Sequence, residues 1–335
     1  MNTEAELEDA LTRPRPALTE FIRSVKSPLV ILGAGGKMGP TLALLARRAA
    51  EAAKHPLRVV AVSRFSNPRA RDVLEKSGIE TCEADLIERD SYARLPDARN
   101  IIYLVGLKFG TAQNPSLTWA VNTLVPAYAV ERYGNARMVA LSTGNVYPLV
   151  PVKSGGATEE HPLTPLGEYA NAAVARERVF EYCGQRHKTF IALLRLNYAL
   201  ELRYGVLVDI ARRVWAGEEI DLASGFFNCI WQGDANEFIL RSLGIEPGAW
   251  NLTGPVVLSV RNIGEQFGQR FSKKVRFINH EADTALLNNP QKICKRLGPP
   301  PTSLETMLDW IAQWVRSGGH YLGKPTHYEV RDGSY

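Results

Sequence analysis

Between the apolar run Leu29-Val30-Ile31-Leu32 and an Ala/Leu-rich stretch stands Gly33-Ala34-Gly35-Gly36-Lys37-Met38-Gly39. Gly33, Gly36 and Gly39 give G-x-x-G-x-x-G where a strand should turn into a helix. Glycines at such a junction allow a tight turn, a close approach of backbone to a pyrophosphate, and close packing of helix on strand. The helix start adds N–H groups and the positive end of the helix dipole. A dinucleotide is the expected ligand, held by Gly33, Gly35, Gly36, Lys37, Met38 and Gly39; a tight structural turn is the plainer alternative. At the end of the second apolar run, Ala61-Val62-Ser63-Arg64, an acidic residue would bond the adenosine ribose hydroxyls and select NAD. Ser63 and Arg64 stand there instead, with Arg69 and Arg71 close behind. A guanidinium is a planar, two-pronged partner for a phosphate, so NADP is the expected cofactor and NAD the alternative.

A frame that could position these residues is visible in the alternation of short apolar runs and helical stretches. Strands are expected at 29–32, 59–62, 80–83, 101–105, 138–142 and 190–194. Helices are expected at 37–53, 69–76, 117–133 and 168–185, with a short one before Leu95. Continuous apolar strands alternating with helices predict an α/β fold: a Rossmann-type doubly wound parallel sheet with a smaller C-terminal substrate-binding cap. The expected divisions are an N-terminal helical extension at 1–26, a NAD(P)-binding Rossmann domain at 27–197, and a cap at 198–318 interleaved with the end of the sheet. Helices near 205–217, 234–243, 261–271 and 304–317 belong to that last part. Residues 319–335 form a polar tail whose place the sequence leaves open: over the surface, over the pocket, or against another subunit.

Composition narrows the function. The 335 residues are 45% hydrophobic and 22% charged, with a net charge of +5, ordinary values for a globular protein. That balance suits an anionic small molecule rather than nucleic acid. Cys82, Cys183, Cys229 and Cys294 never form C-x-x-C, and the six histidines show no ligand spacing, so no metal site is expected. No stretch approaches a membrane span, and the acidic start Met1-Asn2-Thr3-Glu4 lacks a signal-peptide plan. A cytoplasmic protein with a small-molecule substrate is expected, a homodimer being left open.

From Ser27 to Val315 the chain resembles the extended short-chain dehydrogenase/reductase family, the NAD-dependent epimerase/dehydratases. The resemblance is carried by the glycine motif, Glu83-Ala84-Asp85-Leu86, Leu104-Val105-Gly106-Leu107-Lys108, Ala120-Val121-Asn122, Leu141-Ser142-Thr143-Gly144-Asn145-Val146-Tyr147 and Glu168-Tyr169. It implies that Asp85, Leu86, Val105, Gly106, Lys108, Asn122 and Tyr169 lie along the cofactor. It implies that Thr143 and Tyr169 are catalytic, with Glu177 nearby at a position where the family commonly has a glutamate. Tyr169 would pass a proton to or from a substrate oxygen that Thr143 holds, while the nicotinamide passes a hydride. Lys108, Thr143, Asn145, Asn197 and Phe227 would line the substrate.

Two departures set the chain apart. The family's Y-x-x-x-K reads Tyr169-Ala170-Asn171-Ala172-Ala173, so the expected lysine is alanine. Lys108 is the expected substitute, because Arg176 sits two turns from Tyr169, about 10 Å along the helix. Nucleotide-sugar enzymes of the family usually carry an arginine for the pyrophosphate where this chain has Phe227, which predicts a substrate without the nucleotide. Arg195, Arg203 or Arg261 could instead serve from another direction. The expected function is an NAD(P)-dependent oxidoreductase or epimerase acting on a hydroxyl or carbonyl of a small polar, sugar-derived substrate. The alternative is a dinucleotide-binding protein without turnover, acting as a redox sensor or regulatory subunit.

Overall fold

Strands that are apolar on both faces must be covered on both faces, and here they are. The computed structural model describes residues 1–107, 113–324 and 326–333. Two helices come first, α1 (Glu4–Thr12) and α2 (Pro16–Phe21). Then follow β1 (Leu29–Leu32), α3 (Gly39–Ala52), β2 (Val59–Ser63), α4 (Pro68–Lys76), β3 (Glu80–Glu83), β4 (Asn100–Tyr103), α5 (Pro115–Arg132), β5 (Arg137–Thr143), α6 (Glu168–His187) and β6 (Phe190–Leu196). The remainder holds α7 (Val206–Ala216), α8 (Gln232–Arg241), β7 (Gly248–Leu252), α9 (Val260–Phe271), α10 (Gln291–Leu297) and α11 (Leu304–Arg316). The strands form one parallel sheet in the order β7-β6-β5-β4-β1-β2-β3.

Alternate residues of each strand enter opposite cores, as the two-residue period of a strand requires. Ile31, Ala61, Ile102, Val139 and Leu194 meet α2, α3, α8 and α10 on one face. Val30, Val60, Ile101, Met138 and Leu193 meet Val125, Ala129 and Val130 of α5 and Phe180 of α6 on the other. The doubly wound parallel sheet expected from the sequence is therefore the fold. Its seventh strand was not among those expected. Gly248-Ala249-Trp250-Asn251-Leu252 pairs with β6 from Gly248↔Ala192 to Leu252↔Leu196, but Asn251 breaks the apolar run that marks the others.

A separate core gathers α7, α9 and α11 around Val208, Phe267 and Ile311. The N-terminal helices join both cores: Leu7 and Leu11 enter the second, Leu18 and Ile22 the first. Arg15 then clamps α8 through Asp234 at 2.6 Å and Glu237 at 3.3 Å. Among the described residues no helix is long and apolar enough to cross a membrane, and no cluster of His, Cys, Asp or Glu could hold a metal ion.

Candidate active site

The chain steps from β1 outward to β3, then returns to the other side of β1 with β4. A parallel sheet opens a crevice beyond its strand ends at such a reversal. The glycine turn leaves β1 on one side of it, and Val105–Gly106 leaves β4 on the other. Gly33 has φ +82, and a Cβ there would lie 3.0 Å from Val105. A Cβ on Gly39, the first residue of α3, would collide with the Ala34 backbone. The turn is tied to the sheet by Gly33 and Ala34 N–H groups donating to the Val62 carbonyl at 2.9 and 3.1 Å. Backbone of this shape, ending at a helix N-terminus, is the cradle that a pyrophosphate needs.

The end of β2 closes one side of the cradle. Ser63 Oγ would be struck by a Cβ at Gly35, so the hydroxyl lies against the turn. Arg64 is 69% exposed and makes only a loose 3.7 Å ion pair with Asp85. Arg71 is paired with Glu75 and Glu83. The Leu86 side chain is buried in the core between sheet and α5, so only its backbone could face a ligand.

Across the reversal point an open cleft brings together residues far apart in sequence. Lys37 and Met38 come from the glycine turn, Gly106 from the end of β4, Thr143 from the end of β5, and Tyr169 from the first turn of α6. Asn145, Asn197, Tyr198 and Tyr204 complete the far wall. Thr143 and Tyr169 are each 8% exposed, nearly covered yet open to this cleft. The Thr143 hydroxyl accepts from the Asn145 N–H and donates to Asn145 Oδ1, both at 3.2 Å, so its orientation is set by the turn that follows β5. Lys37 reaches across the cleft to the Ala199 carbonyl at 3.1 Å and lies 4.0 Å over the Tyr204 ring. Burial, helped by the charge of Asp209 and the neighbouring Tyr169, pushes the Tyr204 phenol up to about 12, so it stays neutral through the physiological range. Asn197 donates to Asn228 Oδ1 at 3.0 Å within a buried amide cluster that also includes Asn288.

A family model described as the NAD dependent epimerase/dehydratase family matches residues 29–203, just over half of the chain. The chain belongs to that family. No curated protein matches the sequence significantly. Solved structures of the same fold include UDP-glucuronic acid 4-epimerase from Bacillus cereus in complex with NAD, at 16% identity and a TM-score of 0.72, covering 86% of this chain and 98% of that one. The UDP-Glc/GlcNAc 4-epimerase of Campylobacter jejuni aligns at 18% identity and a TM-score of 0.70, covering 88% and 99%. UDP-glucose 4-epimerase of Thermus thermophilus in complex with NAD gives 18% and 0.67, covering 86% and 99%.

Within this epimerase/dehydratase frame, the absence of the lysine acquires a structural setting. Ala173 is fully buried and packs among Val146, Tyr147, Val150 and Leu287, so no open volume awaits a longer side chain there. Arg176 lines the cleft instead, which the spacing argument had set aside. An α-helical residue seven positions on returns to within about 20° of the first, and side chains on a helix lean back toward its N-terminus. A long arginine therefore recovers much of the two-turn offset. Its guanidinium donates through Nη1 to the Asn122 Oδ1 at 3.0 Å and the Val105 carbonyl at 3.2 Å. Asn122 itself is fully buried and is absent from the cleft lining; its amide secures Arg176 and the Thr118 carbonyl. Lys108 lies outside the described residues.

Behind Thr143 and the start of α6 runs a buried polar chain. Ser142 bonds Glu177, and Glu177 is gripped by Arg195 through Nε at 3.1 Å and Nη2 at 2.7 Å. Arg195 continues to the Tyr147 hydroxyl at 2.6 Å, which donates to Asn251 at 2.8 Å. Burial pushes the Tyr147 phenol up to about 12 against the pull of Arg195. Burial also opposes charge on Arg195, but the Glu177 carboxylate more than offsets this and raises it further. Arg195 is thereby committed, as are Arg203 to Glu201 and Glu4, and Arg261 to Glu281. His161 accepts from the Thr158 N–H at 3.1 Å in a local turn.

The tail, whose place the sequence left open, covers a small side pocket that shares Asn145 and Tyr198 with the cleft. Phe227 is 2% exposed, packed edge-on to Tyr198, and forms its floor with Phe226. Tyr328, Val330, Arg331 and Gly333 form the roof. The roof is pinned: the Thr326 N–H and hydroxyl donate to Asp209 at 2.9 and 2.6 Å, and Arg331 donates to the Thr284 carbonyl and hydroxyl at 2.8 Å. Burial raises the Asp209 carboxyl, and the bonds from Thr326 hold it back toward the charged form. Ending the chain after Gly323 should cost about 2–4 kcal/mol in urea unfolding, because bonds to a buried charge are worth roughly 1.5–3 kcal/mol each. An unchanged unfolding midpoint would show that the tail is only laid on the surface.

Proposed function

We propose that this protein is a nicotinamide-dinucleotide-dependent oxidoreductase or epimerase acting on a hydroxyl or carbonyl of a small, sugar-derived substrate that lacks a nucleotide. One observation carries the reading. Thr143 and Tyr169 open into the same cleft that ends on the glycine turn at Lys37 and Met38. The cradle fits the cofactor because Gly33 and Gly39 let strand, turn and helix approach where a Cβ would strike a neighbour, while Gly35 and Gly36 between them are exposed. Gly33, Gly35, Gly36 and the α3 N-terminus would hold the pyrophosphate, Ser63, Arg64 and Asp85 the adenosine end, and Val105–Gly106 the stretch leading to Tyr169. When bound, the nicotinamide supplies a carbon that accepts or returns a hydride.

The chain's own groups do the rest. Tyr169 transfers a proton at the substrate oxygen, and Thr143, fixed by Asn145, holds that oxygen in line. Asn197 and Tyr198 bound the substrate, and the aromatic floor of Phe226 and Phe227 accepts a sugar ring. Arg195, Arg203 and Arg261 are bound to Glu177, Glu201 and Glu281, and Arg331 in the roof of the side pocket donates to Thr284 and the Ala223 carbonyl. The sugar class is supported by the same-fold structures named above, which act on UDP-sugars. Purified protein should change the reduced-nicotinamide absorbance with some member of a panel of sugars and sugar acids. No change across the panel would defeat the enzyme reading, and saturable micromolar binding of a UDP-sugar would defeat the nucleotide-free one.

Cofactor preference gives a separate test. The exposed Arg64 beside Ser63, with no carboxylate ending β2, supports NADP over NAD. Calorimetry should show NADP bound about tenfold tighter, the low end for a charged bond because the guanidinium is exposed. Arg64→Ala should erase that preference. Equal binding of both dinucleotides by the native protein would show that Arg64 reads nothing.

A further inference from the structure

Arg176 is a buried cation without a carboxylate. It is 4% exposed, yet among the described residues no acidic group lies within ion-pair distance of it, Glu177 beside it in sequence being held by Arg195. Its Nη1 is used on neutral oxygens, and its Nε is buried with no partner among the described residues. Burying a guanidinium against neutral partners with an orphaned N–H is costly, and such a cost persists where a ligand completes the site. The direction of the missing partner is given by the neighbours. Nη1 lies so close to Gly106 that a Cβ there would be 2.6 Å away, and Val105, which it bonds, abuts the glycine turn at Gly33. A ligand extending from the glycine turn toward Tyr169 must cross this point.

We infer that Arg176 is a cofactor-binding residue, its guanidinium completing its bonds on an oxygen of the nicotinamide half of the dinucleotide. Asn122 is its positioning residue, holding the guanidinium at the cleft wall. This assignment rests on reading the cleft as a dinucleotide site. It gives the cleft that Thr143 and Tyr169 line a fixed positive charge without a cation at position 173.

The test uses the full chain and equilibrium binding of NADPH and NADH, followed by the fluorescence of the reduced nicotinamide. AMP is the second probe, since it reaches only the adenosine end. Arg176→Met, similar in length but neutral, should weaken both dinucleotides by about tenfold or more and leave AMP affinity unchanged. Arg176→Lys, with charge but no second N–H, should fall between native and Met. Unchanged dinucleotide affinity in the Met variant overturns the proposal, as does a parallel loss of AMP, which would mark a structural role only. A lysine variant no better than Met overturns it too. So does a rise in sugar KM at constant dinucleotide affinity, which would turn the guanidinium toward the substrate. Failure of the native protein to bind any dinucleotide would instead defeat the functional reading itself.

Discussion

Tyr169→Phe should lower kcat by about 10²- to 10⁴-fold on the sugar that the absorbance panel returns, which is the usual contribution of a positioned proton donor or acceptor. The substitution removes one oxygen from a ring that is 8% exposed, so packing at the start of α6 is retained and the melting temperature should hardly move. Dinucleotide affinity should also stay near the native value, because the hydroxyl works on the substrate oxygen. Thr143→Val should give a smaller loss, since it removes a hydrogen bond to the reacting oxygen and leaves the proton carrier. The ordering is the sharper test. A Tyr169→Phe enzyme within tenfold of native, or one less impaired than Thr143→Val, would show that another group moves the proton. Tyr198 and Tyr204 are the other phenols lining the cleft, and Tyr204 is held neutral by burial.

Much of this arrangement was legible in the sequence, and the reason is physical. A strand buried on both faces has to be apolar throughout, so Leu29–Leu32, Val59–Val62 and Phe190–Leu194 announce themselves. A turn that admits a pyrophosphate has to be glycine, so Gly33 to Gly39 does as well. Gly248–Leu252 was illegible because it carries Asn251, a buried polar residue whose side-chain partners include Tyr147, Ala157 and Asn289. Such pairings are set by tertiary approach and leave no local periodicity. Arg176 was misread for a related reason. Counting rise along an axis treats residues as points, whereas a long side chain leaning N-terminally spans most of the interval. The signal was present in the angle: position seven lies nearer the azimuth of Tyr169 than position four does. The tail's place over the side pocket has no signature, because the bonds between Thr326 and Asp209 join positions that nothing but the folded chain brings together.

Glu177→Ala should destabilise the protein by about 3–5 kcal/mol in urea unfolding, because it strands the Arg195 guanidinium in the interior. The pair is buried at both ends, with side chains 4% and 0% exposed, and solvent cannot replace the lost partner. Arg195→Met should cost a similar amount by stranding the carboxylate. The double variant Glu177→Met with Arg195→Met should be less destabilised than either single one, since it leaves no uncompensated charge and fills the space with apolar atoms. It should not return to native stability, because the Ser142 and Tyr147 hydroxyls both lose a partner, and each buried hydroxyl left unpaired costs roughly 1–3 kcal/mol. The consequence for the site follows from chain geometry. Ser142 precedes Thr143 on β5, so releasing its bond to Glu177 frees the strand end that aims the Thr143 hydroxyl. The double variant should therefore lose turnover out of proportion to its loss of stability, while its affinity for dinucleotide, set by the other side of the cleft, is kept. If the double variant instead lost the sum of the two single losses, the charges would not be coupled and the chain from Ser142 to Asn251 would not be what holds the wall that carries Thr143.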